Sequence, residues 1–223
     1  MKIPVTILTY QRPEYLKLTL ESFLDLNGTE RFIFFILAQG SDPETRKVLE
    51  PYAKLFEHQW HLDLNLGCSG GYSFIMRRVL DWGLESPYIF HLQDDWELRE
   101  SLLPYLDEIL ALLRISPDIG YVRLRTVKSR VAKTNRVTQQ RIVYRKRSPN
   151  VYVGNAHFSL NPSIARNSTI EQMLPIRKEL DAMHKYDKLN LLTGQLDAKC
   201  FVHIGSKRAM TTVPGKEGNV WIS

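Results

Sequence analysis

The sequence predicts an α/β fold: a mostly parallel sheet with helices on both faces. Short apolar runs rich in β-branched residues alternate, in order, with stretches of helical apolar spacing through the first hundred residues. Those runs are near-continuously apolar, as strands covered on both faces are. At 223 residues, 43% hydrophobic and 24% charged, the chain is long enough to bury a core without a disulfide or metal staple.

Residues 3–9 (IPVTILT) predict a buried first strand, closed by polar TYQRPE. That polar stretch interrupts the run before any small-residue cleavage site, so the start reads as a strand rather than a signal peptide. From Pro13, Leu16, Leu20, Phe23 and Leu24 recur at helical spacing; Pro13 and Glu14 suit a first turn, and Asn27-Gly28 a stop. Residues 32–37 (FIFFIL) predict the second strand and residues 44–56 a helix with Val48, Leu49, Tyr52 and Leu55 along one side. A short third strand is expected at 59–64, a glycine-bearing loop at 65–71, a helix at 72–83 and a fourth strand at 87–93. Ligands of such sheets bind beyond the carboxyl ends of the strands, so TYQR, QGSD, NLGCSGG and QDDWE converge on one rim.

The second half is less regular. A helix is expected at 101–115, a strand at 120–124, a basic hairpin or loop at 125–148, and a return to the sheet at 151–160. Asn161-Pro162-Ser163 should start a helical turn, 172–192 a helical stretch interrupted near Pro175, and 199–204 a last strand. There is no internal repeat and no clean domain boundary, so residues 1–223 read as a single domain.

Charge is uneven. The net charge is +6, yet residues 119–170 hold eleven basic side chains (Arg123, Arg125, Lys128, Arg130, Lys133, Arg136, Arg141, Arg145, Lys146, Arg147, Arg166) and no Asp or Glu. Such a block points to an anionic partner, or it is a solvated loop with none. No apolar run reaches the roughly 20 residues of a membrane span. Two cysteines, Cys68 and Cys200, make no framework and read as reduced thiols of a cytoplasmic protein.

Chemistry is expected first at Asp94-Asp95. Adjacent carboxylates at the end of a buried strand repel and lose solvation, so a positive group should sit there. A divalent metal carrying a diphosphate is the economical candidate, because Mg²⁺ or Mn²⁺ takes one or two carboxylates and completes its shell with phosphate and water. The alternative is one Asp capping the next helix and the other solvated. Arg12 is a ligand for the diphosphate or a cap for a helix end. Gly67, Gly70 and Gly71 allow close backbone approach to a nucleotide, or only form a loop. His203, ending a strand, is a metal ligand or a structural histidine. His58 and His61 face opposite sides of a strand and are discarded as a metal pair. Trp96 is a floor for a sugar ring or a core residue.

In order along the chain, these pieces resemble a glycosyltransferase of GT-A fold, most closely the inverting family-two-like enzymes. TYQRPEYL (9–16) is similar to the stretch lining the nucleotide pocket, QGSD (39–42) to the second strand end near the base, and NLGCSGG (65–71) to the Asn-x-Gly loop. QDD (93–95) stands where that family has Asp-x-Asp, GNAHFSLNP (154–162) resembles an acceptor-side segment, and HIG (203–205) a downstream metal-binding His. The resemblance implies a GT-A-like (Rossmann-like) three-layer sandwich, with residues 1–100 binding the nucleotide sugar and 101–223 the acceptor. It further implies Mn²⁺ or Mg²⁺ at Asp95 and His203, and donor contacts from Thr9, Tyr10, Arg12, Asp42, Asn65, Gly67, Gly71, Gln93, Asp94 and Trp96. Gln93 departs from the motif's first acid, although its amide can still bind a sugar hydroxyl or water, and Gln39 leaves Asp42 as the contact for the base.

An inverting transfer needs a carboxylate to take the acceptor's proton. RKELDAMHKY (177–186) resembles the family segment carrying it, which makes Glu179 the first candidate and Asp181 the second; the alternative is solvated acids on an amphipathic helix. The function implied is transfer from a nucleoside-diphosphate sugar, UDP by default, to a hydroxyl acceptor. The basic segment would then order over donor phosphates or touch anionic membrane from the cytoplasmic side. Two competitors stand beside it. One is a nucleic-acid-binding protein using residues 123–147, disfavoured because aromatics are sparse there, with Tyr121 and Tyr144 at its margins, and no binding motif occurs. The other is a catalytically silent relative that binds nucleotide sugar.

Overall fold

The computed structural model describes residues 1–40, 42–125 and 134–205. Three of the basic residues singled out above, Lys128, Arg130 and Lys133, lie outside the described residues, as does Ser41.

The first strand, β1 (Ile3–Tyr10), is buried nearly throughout and sits inside a nine-stranded sheet. Helix α1 (Pro13–Asn27) starts on its proline and turns Leu16, Thr19, Leu20 and Phe23 inward. Then follow β2 (Phe32–Gln39), α2 (Pro43–Leu49), β3 (Phe56–Leu62), α3 (Gly67–Asp81) and β4 (Tyr88–Gln93). Alternation along the strands feeds two separate cores. Val5, Ile7, Phe34, Ile36, Phe90 and Leu92 pack with α1, while Leu8, Phe35, Leu37 and Ile89 pack with α3. Phe23 meets Phe32 and Phe34 edge-on, with centroids at 5.2 and 5.5 Å, an arrangement favoured by the ring quadrupoles.

The remaining elements are β5 (Trp96–Leu98), α4 (Leu103–Ile115), β6 (Ile119–Arg123), β7 (Tyr144–Lys146), β8 (Val151–Gly154), β9 (Ser163–Arg166), α5 (Asn167–Met173), α6 (Glu179–Lys188), β10 (Leu192–Leu196) and β11 (Phe201–His203). The sheet order is β3-β2-β1-β4-β9-β6-β10-β8-β7. Strands β3, β2, β1 and β4 are parallel; β9 runs antiparallel between β4 and β6, and β10 is parallel to β6. The carboxyl ends of β1, β2, β4 and β6 therefore share one edge. Helix α4 adds to the α1 core and α5 and α6 to the α3 core, which gives the three-layer α/β sandwich that the alternation predicted.

Several expectations are corrected. The helix drawn over 44–56 stops at Leu49 and gives way to a 3₁₀ turn at Glu50–Tyr52, since Pro51 has no N–H to continue it. The expected loop at 65–71 is already helix from Gly67. No helical turn starts at Pro162. Leu124 N–H donates to the Pro162 carbonyl at 2.9 Å and the chain continues as β9, with α5 following. The stretch 172–192 holds the end of α5 and all of α6, and the chain then forms the unforeseen strand β10. Gly194 is needed there, because a Cβ would stand 2.7 Å from Val122 Cγ2. The last strand, β11, pairs with β5 in a separate two-stranded sheet. No helix among the described residues is long and apolar enough to cross a membrane.

Candidate active site

At the end of β4 the two aspartates turn to different tasks. Asp94 is buried, and its Oδ2 accepts from Thr9 Oγ1 at 2.7 Å and from the Tyr10 N–H at 3.2 Å. Its own N–H donates to Leu8 O at 3.1 Å, and its carbonyl accepts from Thr19 Oγ1 at 2.6 Å. Burial, then the charge of Asp95, push this carboxyl up to about 7, against the pull of Arg12 and Thr9. Asp94 thus ties β4 to β1 and α1 from the inside.

Asp95 faces the rim. Its Oδ2 lies 2.7 Å from an Arg12 guanidinium nitrogen and 3.1 Å from His203 Nε2. Its Oδ1 is buried with no hydrogen-bond partner among the described residues. The segment after β11 closes over it: Ile204 N–H donates to Asp95 O at 2.9 Å, and a Cβ on Gly205 would stand 2.7 Å from Asp95 Oδ2. The small β5–β11 sheet, with His203 opposite Trp96, brings His203 to this carboxylate. Trp96 is 5% exposed; its ring lies 5.0 Å from the His203 ring and its N–H reaches Gln93 Oε1 at 3.4 Å. It therefore supports His203 and presents little face to a sugar.

The neighbouring candidates are held by internal bonds. Gln93 Nε2 donates to Cys68 Sγ at 2.9 Å. Gln39 Oε1 accepts from the Leu66 N–H at 2.7 Å, and Asn65 Oδ1 from the Gly67 N–H at 2.8 Å, where Gly67 has φ of 70°. A Cβ on Gly71 would meet Gln39 Nε2 at 2.6 Å and Leu8 Cδ1 at 2.7 Å, so this glycine lets α3 settle on the sheet. Asp42 caps α2, accepting from Thr45 N and Oγ1, each at 2.8 Å. Burial raises its carboxyl, but these bonds outweigh burial and leave it below the ordinary range.

Glu179 is half-buried in the first turn of α6, and Asp181 is exposed. Burial pushes the Cys68 thiol up to about 12, and the carboxylates of Glu179, Asp95 and Asp94 add to the effect. Three contributors escaped the sequence reading: Thr19, Cys68 and Gly205. Thr19 had a signal, being a polar residue on the apolar stripe Leu16, Leu20, Phe23.

Toward a divalent ion, the unpartnered Asp95 Oδ1 and His203 Nε2 are an oxygen and an imidazole of suitable chemistry. Among the described residues no three His, Cys, Asp or Glu side chains form a metal cluster. The donor set fits an ion that arrives with phosphate and water completing its shell.

No protein-family model matches the sequence, nor does the sequence of any curated protein. Solved structures do match in fold. The mannosyltransferase PcManGT from Pyrobaculum calidifontis, in complex with GDP-Man and Mn²⁺, aligns at TM-score 0.64 with 12% identity, over 93% of this chain and 58% of that one. S. aureus TarS 1-349 in complex with UDP aligns at 0.60 with 14% identity, over 90% and 59%. A 4-diphosphocytidyl-2C-methyl-D-erythritol synthase aligns at 0.54 with 14% identity, over 90% and 91%. The chain thus spans under three-fifths of the two transferase chains. The architecture that places Asp95, Arg12 and His203 together is a GT-A-like fold.

Proposed function

We propose that this chain is a divalent-metal-dependent glycosyltransferase, moving a sugar from a nucleoside-diphosphate sugar to the hydroxyl of a carbohydrate or other acceptor, with inversion. A UDP-sugar is the donor to test first. The observation that carries the reading is Asp95 at the rim, with a buried unpartnered Oδ1 and with Arg12 and His203 on its other oxygen. The GDP-Man and Mn²⁺ bound to PcManGT and the UDP bound to TarS support the donor class and the metal.

In this reading residues 1–100 hold the donor and 101–223 the acceptor, within one domain. Asp95 and His203 would hold Mn²⁺ or Mg²⁺, which when bound neutralises charge on the departing diphosphate. Arg12 leaves Asp95 Oδ2 for a phosphate oxygen when the donor enters. Asp94, fixed by Thr9 and the Tyr10 N–H, sets the height of Asp95. Asn65 and Gly67 shape the first turn of α3, while Gln93, Gly71, Asp42 and Trp96 brace the walls. Glu179 takes the acceptor's proton as its oxygen attacks the anomeric carbon and the bond to the diphosphate breaks, with Asp181 as second choice.

The nucleic-acid alternative is weakened by the bonds some of the basic residues make. Within residues 123–147, Arg123 is buried and Arg147 lies 3.6 Å from Asp118. The two unpaired cysteines suit a cytoplasmic location, and contact with anionic membrane is an additional role for the exposed basic residues. The test is a thermal-shift panel of nucleotides and nucleotide sugars with and without Mn²⁺. A metal-dependent rise with one nucleoside diphosphate, followed by sugar release from its conjugate in the presence of acceptor, is expected. No shift with any nucleotide removes the reading, and binding without turnover leaves the silent relative.

A further inference from the structure

A second concentration of charge lies where β6 leaves the sheet. Arg123 is 4% exposed; its Nε donates to Tyr121 Oη at 3.0 Å and its terminal nitrogen to the His157 carbonyl. Two residues on, Arg125 is half-buried and its Nε–H is buried without any hydrogen-bond partner among the described residues. Arg136 stands exposed on a turn held by the Asn135 side chain, which donates to Asn155 O at 2.7 Å and accepts from Val137 N–H at 2.9 Å. Arg136 N–H meets His157 Nδ1 at 3.5 Å, and the carbonyl of the same His157 accepts from Arg123, which brings the turn beside the end of β6; burial, then the charges of Arg123 and Arg136, disfavour the charged form of Arg125. Among the described residues, no ion pair joins these three guanidinium groups to a carboxylate. Clustered cations with a buried unsatisfied donor are costly unless an anion completes them.

We infer that Arg125 and Arg136, on a floor set by Arg123, form a binding site for an oxyanion, phosphate or carboxylate, carried by the acceptor. The guanidinium fork matches the two oxygens of such a group. Its place in the fold separates it from the donor. β4 and β6 are two strands apart in the sheet, so their ends lie roughly 10 Å from each other. That separation leaves room for the transferred sugar between a diphosphate at Asp95 and a charge on the acceptor. Assigning the anion to the acceptor rests on the transferase reading; the oxyanion site itself does not.

The test titrates the full chain calorimetrically with glycerol 1-phosphate, with glycerol as the neutral control, alone and in the presence of UDP or GDP with Mn²⁺. Glycerol 1-phosphate should bind, glycerol should not, and the nucleotide should leave that binding unchanged. Arg125→Gln and, separately, the exposed Arg136→Gln should each weaken it at least tenfold while nucleotide binding persists; the second variant decides the matter if the first fails to fold. Phosphatidylglycerol vesicles form a parallel arm, in which Arg125-dependent retention names a lipid headgroup as the source of the phosphate. Binding indifferent to both substitutions, or displaced by the nucleotide, overturns the site. A chain that binds glycerol 1-phosphate at Arg125 and no nucleotide keeps the site and loses the transferase reading.

Discussion

Acid should destabilise this protein through one histidine. His91, on β4 four residues before Asp95, is 2% exposed; its Nδ1 meets Thr6 Oγ1 at 3.0 Å, its Nε2 has no hydrogen-bond partner among the described residues, and the Tyr72 ring stands edge-on at 4.7 Å. Burial holds its pKa at about 3, against 6.5 for a free imidazole. Below 6.5 the unfolded chain takes up a proton that the folded chain refuses, so this histidine costs stability as pH falls from 6.5 toward 3. The slope approaches about 1.4 kcal/mol per pH unit, and between pH 7 and pH 5 the loss integrates to about 2 kcal/mol. Asp94, raised by burial, pulls the other way over the upper part of that range, so the wild-type curve alone would mislead. Subtraction isolates the histidine. Urea unfolding of wild type and His91→Phe at pH 7, 6 and 5 should show the wild type losing about 2 kcal/mol relative to the variant. Parallel pH curves for the two proteins would refute the assignment of His91 as a buried neutral imidazole.

Asp95→Asn should leave the unfolding midpoint in metal-free buffer close to wild type, while removing the Mn²⁺-dependent part of the nucleotide thermal shift and lowering transfer at least ~100-fold; unchanged metal-dependent turnover would take Asp95 out of the site. For Glu179→Gln, calorimetry should show donor affinity within about threefold of wild type while transfer is lost, as expected on removing a general base. If Asp181→Asn alone abolishes transfer, the base moves there. Gly71→Ala should destabilise by roughly 1–3 kcal/mol in urea, because the new methyl group meets Gln39 and Leu8 below 3 Å; a neutral result would mean that α3 shifts freely on the sheet.

The first half of the fold was readable because its signals are local. Residues 3–9 fall within β1, Pro13 opens α1 as its fixed φ predicts, and the runs at 32–37 and 87–93 fall on β2 and, apart from Pro87, on β4, while the third strand expected at 59–64 lies at 56–62. The second half was not, because β9 and β10 are short strands whose identity comes from their neighbours. SIAR shows no period until it lies between β4 and β6, and LTGQL reads as loop until Gly194 is seen against Val122. The same distinction runs through the site. Asp94 and Asp95 stood out as paired carboxylates at a strand end, but their division of labour depends on Thr9, Thr19 and Arg12, more than 70 residues away in sequence. Asp42 and Asn65 have the side chains of ligand contacts, and only the structure shows them capping a helix and a glycine turn.

The contact between Arg12 and Asp95 bears on the order of binding. The guanidinium, 2.7 Å from Oδ2 and 3.8 Å from Asp94 Oδ1, supplies the positive charge that the adjacent carboxylates require. A bare divalent ion would have to displace it while finding only Asp95 and His203 as protein donors, and magnesium gives up its water reluctantly. An ion chelated by a nucleoside diphosphate meets neither obstacle. It brings its own oxygen ligands, and its phosphates offer Arg12 a new partner as the guanidinium leaves the carboxylate. If the proposed transferase reading holds, metal and nucleotide would therefore enter together or strengthen each other's binding, and the paired acids need not form a complete metal site before the donor arrives.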